Sequence, residues 1–126
     1  HADLLLSRLP RGPELVERTR RAIAGRLRGG DSSLEGVARE LGMSERSLQR
    51  HLRELGYSYA ALADEVRQAT ARLYLEQPDM ALAEIGYLLG FADQSSFNHA
   101  FKRWTGSTPR EARAGAMRAR AASPRA

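Results

Sequence analysis

The 126-residue chain contains no cysteine, a single lysine and few aromatic residues. The absence of cysteine excludes disulfide bonds, cysteine-ligated zinc and a thiol nucleophile, and it is compatible with a reducing compartment. His1, His51 and His99 are the only histidines, so the sequence offers no evident metal-ligand cluster. No apolar run approaches the roughly 20 residues of a membrane-spanning helix. We therefore expect a cytoplasmic protein that carries no metal ion and no cofactor.

Positive charge is in excess, and arginine supplies nearly all of it. The formal net charge is +5, and Lys102 is the only lysine among the 20 basic residues. The planar arginine fork matches phosphate groups and the guanine edge, so the excess favours a nucleic-acid partner. A GC-rich genome would produce the same excess. The positions of the arginines therefore carry more information than their number.

Residues 34–56 have the pattern of a helix-turn-helix. Val37 and Leu41 form an apolar stripe on a first short helix, which Gly42 can end in a left-handed conformation. Ser44 can then cap a second helix whose leucines recur at spacings of four and three. A motif of this kind places the polar face of its second helix in the DNA major groove. That polar face carries Arg46, Gln49, Arg50 and Arg53.

The same pattern recurs over residues 82–106. The apolar residues and the turn glycine match at one constant offset, and the residues after the turn match at an offset that is one residue larger. The second turn is therefore one residue longer, and Asp93 takes the capping position of Ser44. Two copies in one short chain are a far more specific signal than one, and they predict two groove-reading helices. The bulkier core residues of the second copy are Phe97, Phe101 and Trp104.

The segments before and between the two copies predict further helices. Pro13 suits the first position of an opening helix that runs to about Leu27. Ser32 with Glu35 forms a candidate capping box for the following helix, and Ser58 can cap a long connecting helix. The apolar face of that connecting helix carries Tyr59, Leu62, Val66 and Leu73.

The C-terminal part predicts a short last helix. Asp79 is a candidate cap for the first helix of the second copy. Thr108, Pro109 and Glu111 combine an N-cap, a first-position proline and a capping-box glutamate, which predicts a helix to about Arg113. The residues after it have little apolar surface to bury, so we expect a frayed tail.

These elements together predict an all-α fold of about seven helices, with two helix-turn-helix lobes joined by a long connecting helix. The predicted boundaries are a linker from an upstream segment over 1–12, the first lobe over 13–57, the connecting helix over 58–77, the second lobe over 78–114 and a basic flexible tail over 115–126.

Two blocks of sequence resemble the two halves of the AraC/XylS-type DNA-binding domain. They are LGMSERSLQRHL and LGFADQSSFNHAFKRWTGSTPREAR, and the second is similar to the signature of that family. The resemblance covers about residues 13–113. It implies that both recognition helices bind successive major grooves of an asymmetric DNA site. It also implies a transcription regulator, usually an activator that contacts RNA polymerase.

The first residues of the chain, HADLLLSRLP, look like the end of the sensor domain that precedes this module in many members of the family. This resemblance implies homodimerisation or effector binding through a missing N-terminal domain. Two positions depart from the family pattern. His99 stands where an arginine is frequent, and Ala81 stands where a capping serine or threonine is frequent.

Base contacts are expected from the first turns of each recognition helix. Arginine can pair bidentately with guanine, and glutamine with adenine, each good pair giving about 1–3 kcal/mol of discrimination. For each candidate the alternative is a solvated surface residue; His99 could also contact phosphate. The candidates are Arg46, Gln49 and Arg50 in the first lobe, and Gln94, Ser95, Asn98 and His99 in the second.

Phosphate contacts are expected beside them, because half or more of the hydrogen bonds in such interfaces go to phosphate and sugar. His51 lies next to the apolar stripe and either packs there or contacts phosphate. The main phosphate candidates are Ser44, Ser47, Arg53, Ser96, Lys102 and Arg103.

Three other classes of function compete with sequence-specific binding. A DNA-repair alkyltransferase needs a reactive cysteine, and the segment GRLRGG lacks the Lys-Ser/Thr ending of a phosphate-binding loop, so we do not expect an enzyme. A protein-interaction module that has lost DNA binding would not need the Arg/Gln face. Non-specific DNA compaction would give an affinity that varies with salt and not with sequence.

Overall fold

A computed structural model of the chain describes residues 12–29 and 31–122; most of the predicted 1–12 linker lies outside them. The described part contains seven α-helices and no strand, which confirms the predicted fold class. It divides into two compact units, and the boundary between Val66 and Arg67 falls within the fourth helix. The helices are α1 (Pro13–Arg26), α2 (Leu34–Glu40), α3 (Glu45–Glu54), α4 (Tyr59–Leu75), α5 (Leu82–Leu88), α6 (Gln94–Thr105) and α7 (Pro109–Ala122).

The first unit is built around α2 and α3, the two helices of the first helix-turn-helix. Both α1 and α3 pack against α2. Gly42 follows α2 with a φ of 71°, a left-handed conformation that favours glycine, as the sequence predicts. The apolar stripes of the three helices form the core of this unit. Its buried residues include Leu15, Ile23, Val37, Leu48 and Leu52.

The second unit has an aromatic core, also as predicted. Both α5 and α7 pack against α6. Phe97 and Phe101 are buried, and their ring centroids lie 5.9 Å apart in an edge-to-face arrangement. Phe91 and Trp104 are half-buried at the margin of this cluster, with ring centroids 6.0 Å apart. Edge-to-face and tilted pairs of this kind add stabilisation beyond the burial of area.

Four predicted helix caps are confirmed. Ser44 Oγ accepts from the backbone N–H of Ser47 at the start of α3, over 3.1 Å. Asp93 and Ser58 accept in the same way at the starts of α6 and α4. Before α7, the capping box is complete in both directions. There the Thr108 N–H donates to Glu111 Oε1, and the Glu111 N–H donates to Thr108 Oγ1.

Two other predicted caps are wrong. Ser33, not Ser32, caps α2 by accepting from the Gly36 N–H, because Ser33 is the extended residue directly before the helix. Ala81 occupies the N-cap position of α5, which has no side-chain cap bond. Asp79 stands three residues before the first helical residue, which is too early for an N-cap.

The last helix is longer than predicted. It continues to Ala122, so the predicted end near Arg113 and the frayed tail after it are wrong for these residues. The segment is rich in alanine and arginine, both good helix formers. Arg113 also donates to the carbonyl oxygens of Leu75 and Gln77 over 3.2 and 3.1 Å. These bonds anchor α7 on the end of α4. Residues 123–126 lie outside the described part.

Two leucines assigned to apolar stripes are exposed. Leu55 is 36% exposed, because it follows the last residue of α3 rather than lying within the helix. Leu73 is 64% exposed, although Ala71 and Leu75 on the same helix are buried. Residues two positions apart lie about 200° apart around a helix, so Leu73 is on the opposite side from both.

Candidate nucleic-acid interface

Helix α3 separates its side chains into an apolar face and a polar face. Leu48 and Leu52 are fully buried on the inner side. Apart from these two leucines, every residue of the ten-residue helix is polar, so its outer face is polar throughout. Three arginines give this face a positive charge along its whole length. The candidates Arg46, Gln49, Arg50 and Arg53 are all exposed there.

Arg50 has an acidic neighbour one turn further along α3. Its Nε lies 3.7 Å from Glu54 Oε1, and both side chains are more than 60% exposed. An exposed pair at this spacing contributes about 0–1 kcal/mol and is screened by salt. The pair therefore restrains Arg50 only weakly. The arginine fork stays available for a stronger bidentate partner.

Ser47 and His51 lie on the side of α3, and both are half-buried. His51 Nδ1 is 2.9 Å from the carbonyl oxygen of Ser47 and 3.4 Å from its Oγ. A carbonyl oxygen can only accept, so Nδ1 carries a proton. The ring nitrogen Nε2 is then the one that can meet a further partner. Ser47 is less accessible than Ser44, the exposed cap of the helix.

Helix α6 has the same division into two faces but a different distribution of charge. Phe97, Ala100 and Phe101 are buried. The exposed residues of the first turns are uncharged or carry an imidazole, whereas both basic residues lie in the last turns. Basic residues there also suit the negative end of the helix dipole. The exposed candidates are Ser95, Ser96, His99, Lys102 and Arg103.

The start of α6 is fixed by the Asp93 carboxylate. The backbone N–H of Ser96 donates to Asp93 Oδ1 over 2.7 Å. This bond, with one from the Ser96 side chain, holds the pKa of Asp93 below its ordinary value, and the charge of His99 acts in the same direction. Asp93 is therefore a charged cap at neutral pH.

Gln94 and Asn98 differ from the other candidates because they bind each other. Gln94 Nε2 donates to Asn98 Oδ1 over 2.9 Å, and both residues are half-buried. Gln94 Oε1 is buried and accepts no hydrogen bond within the described part of the chain. The two side chains border a groove of about 460 Å³. Its other lining residues are Leu82, Ala83, Thr108, Pro109 and Arg110.

Sequence reasoning missed three features around these helices. The spacing of Gln94 and Asn98 is one at which such side chains bond, so this pair had a local signal. The pairing of Arg50 with Glu54 had the same kind of signal. The position of Arg110 beside the groove had none, because it depends on how α7 packs against α6.

Within residues 12–29 and 31–122, no helix combines the length and apolar content needed to cross a membrane. A family model described as a helix-turn-helix domain matches residues 37–115, which is more than half of the chain. A solved regulator from Chromobacterium violaceum, described as AraC-type, is 25% identical with a TM-score of 0.71, over 81% of this chain and 91% of that one. The chain belongs to the AraC-type helix-turn-helix family.

Two further comparisons extend this result. The ornithine utilization regulator of Pseudomonas aeruginosa is 43% identical over 111 residues, which are 88% of this chain and 32% of that protein. The DNA-binding domain of AdpA, solved in complex with a target DNA, is 27% identical with a TM-score of 0.71, over 86% of this chain and 97% of that one.

The 126-residue chain spans about a third of the length of the curated relatives that it matches. The family and the fold are those of DNA-binding transcription regulators.

Proposed function

We propose that this chain binds double-stranded DNA at a specific sequence, with α3 and α6 in successive major grooves. In this proposal it is the DNA-binding part of a bacterial transcription activator. The observation that carries the proposal is the repeated recognition helix. Each unit has a capped helix that buries an apolar face and exposes polar side chains at its start. The DNA complex solved for the similar AdpA domain supports the same use of the fold.

The exposed polar residues divide into two roles. Those in the first turns of α3 and α6 read base edges, and those at the caps or later in the helices hold the sugar-phosphate backbone. The base-reading set is Arg46, Gln49, Arg50, Gln94, Ser95, Asn98 and His99. The phosphate-binding set is Ser44, Ser47, Arg53, Ser96, Lys102 and Arg103.

The charge distribution gives the two helices unequal tasks. Helix α3 carries arginine in its first turns, which suits bidentate pairing with guanine. Helix α6 carries serine, asparagine and His99 in its first turns and its basic residues at its end. We therefore assign a larger share of base discrimination to α3, and a larger share of backbone contact to α6.

The proposal is tested by selecting binding sites from a random duplex library with the 126-residue chain. The selected duplex and a scrambled control are then titrated at two salt concentrations. We expect an enriched site with two short elements about ten base pairs apart, and guanine and adenine opposite Arg50 and Gln49. Enrichment of only one short element would mean that one of the two helices contacts only phosphate. Equal binding of every sequence would overturn sequence-specific recognition and favour compaction.

The activator role concerns the longer protein. We propose that the protein contacts RNA polymerase, forms a homodimer through sequence outside this chain and acts in the cytoplasm, where bacterial DNA lies. The length of the curated relatives supports a longer functional unit. Two linked DNA-binding domains raise the effective concentration of the second, so the dimer binds more tightly than this chain alone. In vitro transcription from a promoter carrying the selected site tests activation directly.

A further inference from the structure

Gln94 and Asn98 were both expected to read a base, but their mutual hydrogen bond gives them different roles. The bond joins Gln94 Nε2 to Asn98 Oδ1 over 2.9 Å, within the first turns of α6. Asn98 therefore accepts through its oxygen inside the protein. The group on the other side of the amide is Nδ2, with two N–H donors.

The Asn98 Nδ2 group is open to a partner. In the part of the chain that the structure describes, it donates to no acceptor, yet it is not among the buried unpaired atoms. It is therefore accessible to solvent. It also lies one helical turn from Ser95 and next to His99, both of which are exposed.

The orientation of the two amides is fixed by the buried end of Gln94. Turning both amides over would keep a hydrogen bond between them, with Asn98 as the donor. That arrangement would place the Gln94 NH2 group where its oxygen now lies, buried and without a partner. Orphaned buried N–H groups are rarer and less tolerated than under-satisfied oxygens. The observed arrangement is thus the favoured one.

We propose that Gln94 is a positioning residue for Asn98, which it holds with the Nδ2 donors facing the DNA. This inference rests on the proposed function of α6 as a groove-reading helix. Free asparagine pairs bidentately with adenine, offering one donor and one acceptor. Asn98 has its oxygen turned towards Gln94, so it presents its Nδ2 donors on the accessible side. It therefore selects a base edge that presents acceptors without a donor, which is guanine or thymine in the major groove.

The first step of the test locates the base in question. Site selection with the wild-type chain and with Asn98→Ala shows at which position the preference relaxes. At that position we expect the wild-type chain to favour guanine or thymine over adenine by about fivefold, the effect of one hydrogen bond to a base. The readout is a ratio of affinities for duplexes that differ in one base pair, so uniform changes in affinity cancel.

The second step reverses the orientation of Asn98. Gln94→Glu replaces the donor by a carboxylate, so Asn98 must donate to it and expose its oxygen instead. We expect the preference to move to adenine or cytosine, which present a donor. Gln94→Met removes the amide at nearly constant size, and we expect the ratio to fall towards one. Glutamate also suits the first turn of a helix, so α6 should still form, which circular dichroism checks.

The third step asks whether Gln94 acts through Asn98. In the Asn98→Ala background, Gln94→Glu and Gln94→Met should leave the base ratio unchanged, as a double-mutant cycle requires. A ratio that changes equally in both backgrounds would mean that Gln94 contacts the base itself, and it would overturn the inference. So would a wild-type preference for adenine at this position. Absence of any selected site would instead overturn the proposed function, and the inference with it.

Discussion

Gly86 in α5 faces Phe97 in α6 so closely that a Cβ atom added to the glycine would lie 3.2 Å from the Cβ of the phenylalanine. Phe97 has no exposed surface, and it packs against the rings of Phe91 and Phe101. It therefore has little freedom to move away. The glycine sets the distance between the scaffold helix and the recognition helix in the second unit.

Gly86→Ala should consequently destabilise the protein. Overpacking of a filled core costs about 1–3 kcal/mol, and the better helix propensity of alanine offsets about 1 kcal/mol of this. We expect a lower melting temperature in thermal unfolding followed by circular dichroism. Gly115→Ala in α7 is the matched control, because its added Cβ meets its nearest atom at 3.8 Å. The control should raise the melting temperature. An equal rise in melting temperature for Gly86→Ala would show that the core around Phe97 can rearrange to accommodate the added methyl group.

The two helix-turn-helix motifs could be predicted because their signals are local. Gly42 and Ser44 determine a turn through their own backbone and side-chain chemistry, and the repeat supplies the same information twice. The Ser33 cap was missed by one residue because the capping-box spacing to Glu35 favoured Ser32, whereas Ser33 is the extended residue directly before α2. The spacing to a glutamate is thus a weaker signal than the backbone position at which the helix begins.

The remaining differences arise from contacts distant in sequence. Leu73 fits the stripe of Leu62 and Val66, yet within the second unit α4 buries Ala71 and Leu75 instead. The last helix is held by contacts distant in sequence, since Arg113 donates to carbonyl groups that are 36 and 38 residues away and Arg120 donates to the Glu76 carbonyl, 44 residues away. For the site, the sequence predicted which side chains lie on the polar faces. The bond between Gln94 and Asn98 assigns them roles that a list of residue types does not contain.

Arg113 is expected to stabilise the second unit through its two bonds to the end of α4. The Leu75 carbonyl belongs to the last turn of that helix, where no backbone donor follows. Removing a charged donor from such groups costs about 1–3 kcal/mol, so Arg113→Ala should lower the free energy of unfolding by roughly 1–2 kcal/mol. Urea unfolding measures this.

Arg118→Ala is the control for that measurement, because Arg118 is exposed on the same helix. It should change the free energy of unfolding by less than about 0.5 kcal/mol. Arg113→Lys should recover only part of the loss, since an ammonium group cannot reproduce the fork that reaches two carbonyl groups. A full recovery would mean that charge, not geometry, holds α7 in place.

The Asp93 cap makes stability depend on pH in the acid range. Its pKa is lowered in the folded chain by the bonds from Ser96, so its stabilising effect is fully present above the ordinary carboxyl pKa. That effect is lost as the pH falls from about 4 through the lowered folded value. Asp93→Asn keeps a good cap that does not titrate, so it should lose less stability on acidification than the wild type.

Denaturant midpoints at pH 7 and at several values below 4 test this expectation. Asp79→Asn is the control, because Asp79 is exposed and stands too early to cap α5. That variant should follow the wild-type pH dependence. If the wild type and Asp93→Asn lose equal stability on acidification, the acid sensitivity belongs to other carboxylates. Glu111 is the next one to replace, because the Thr108 backbone N–H lowers its pKa in the same way.

Arg50 and Arg53 provide the sharpest comparison of the two proposed kinds of DNA contact. Both are exposed arginines on α3, so each alanine variant removes the same charge from the same helix. Arg50→Ala should weaken binding to the selected site by about 1–3 kcal/mol and relax the preference at one base pair. Arg53→Ala should weaken binding to selected and scrambled duplexes alike and reduce the salt slope by about one. Titrations of both duplexes at two salt concentrations separate these outcomes. Equal losses on both duplexes for Arg50→Ala would reassign that arginine to the phosphate backbone and leave base reading in the first unit to Arg46 and Gln49.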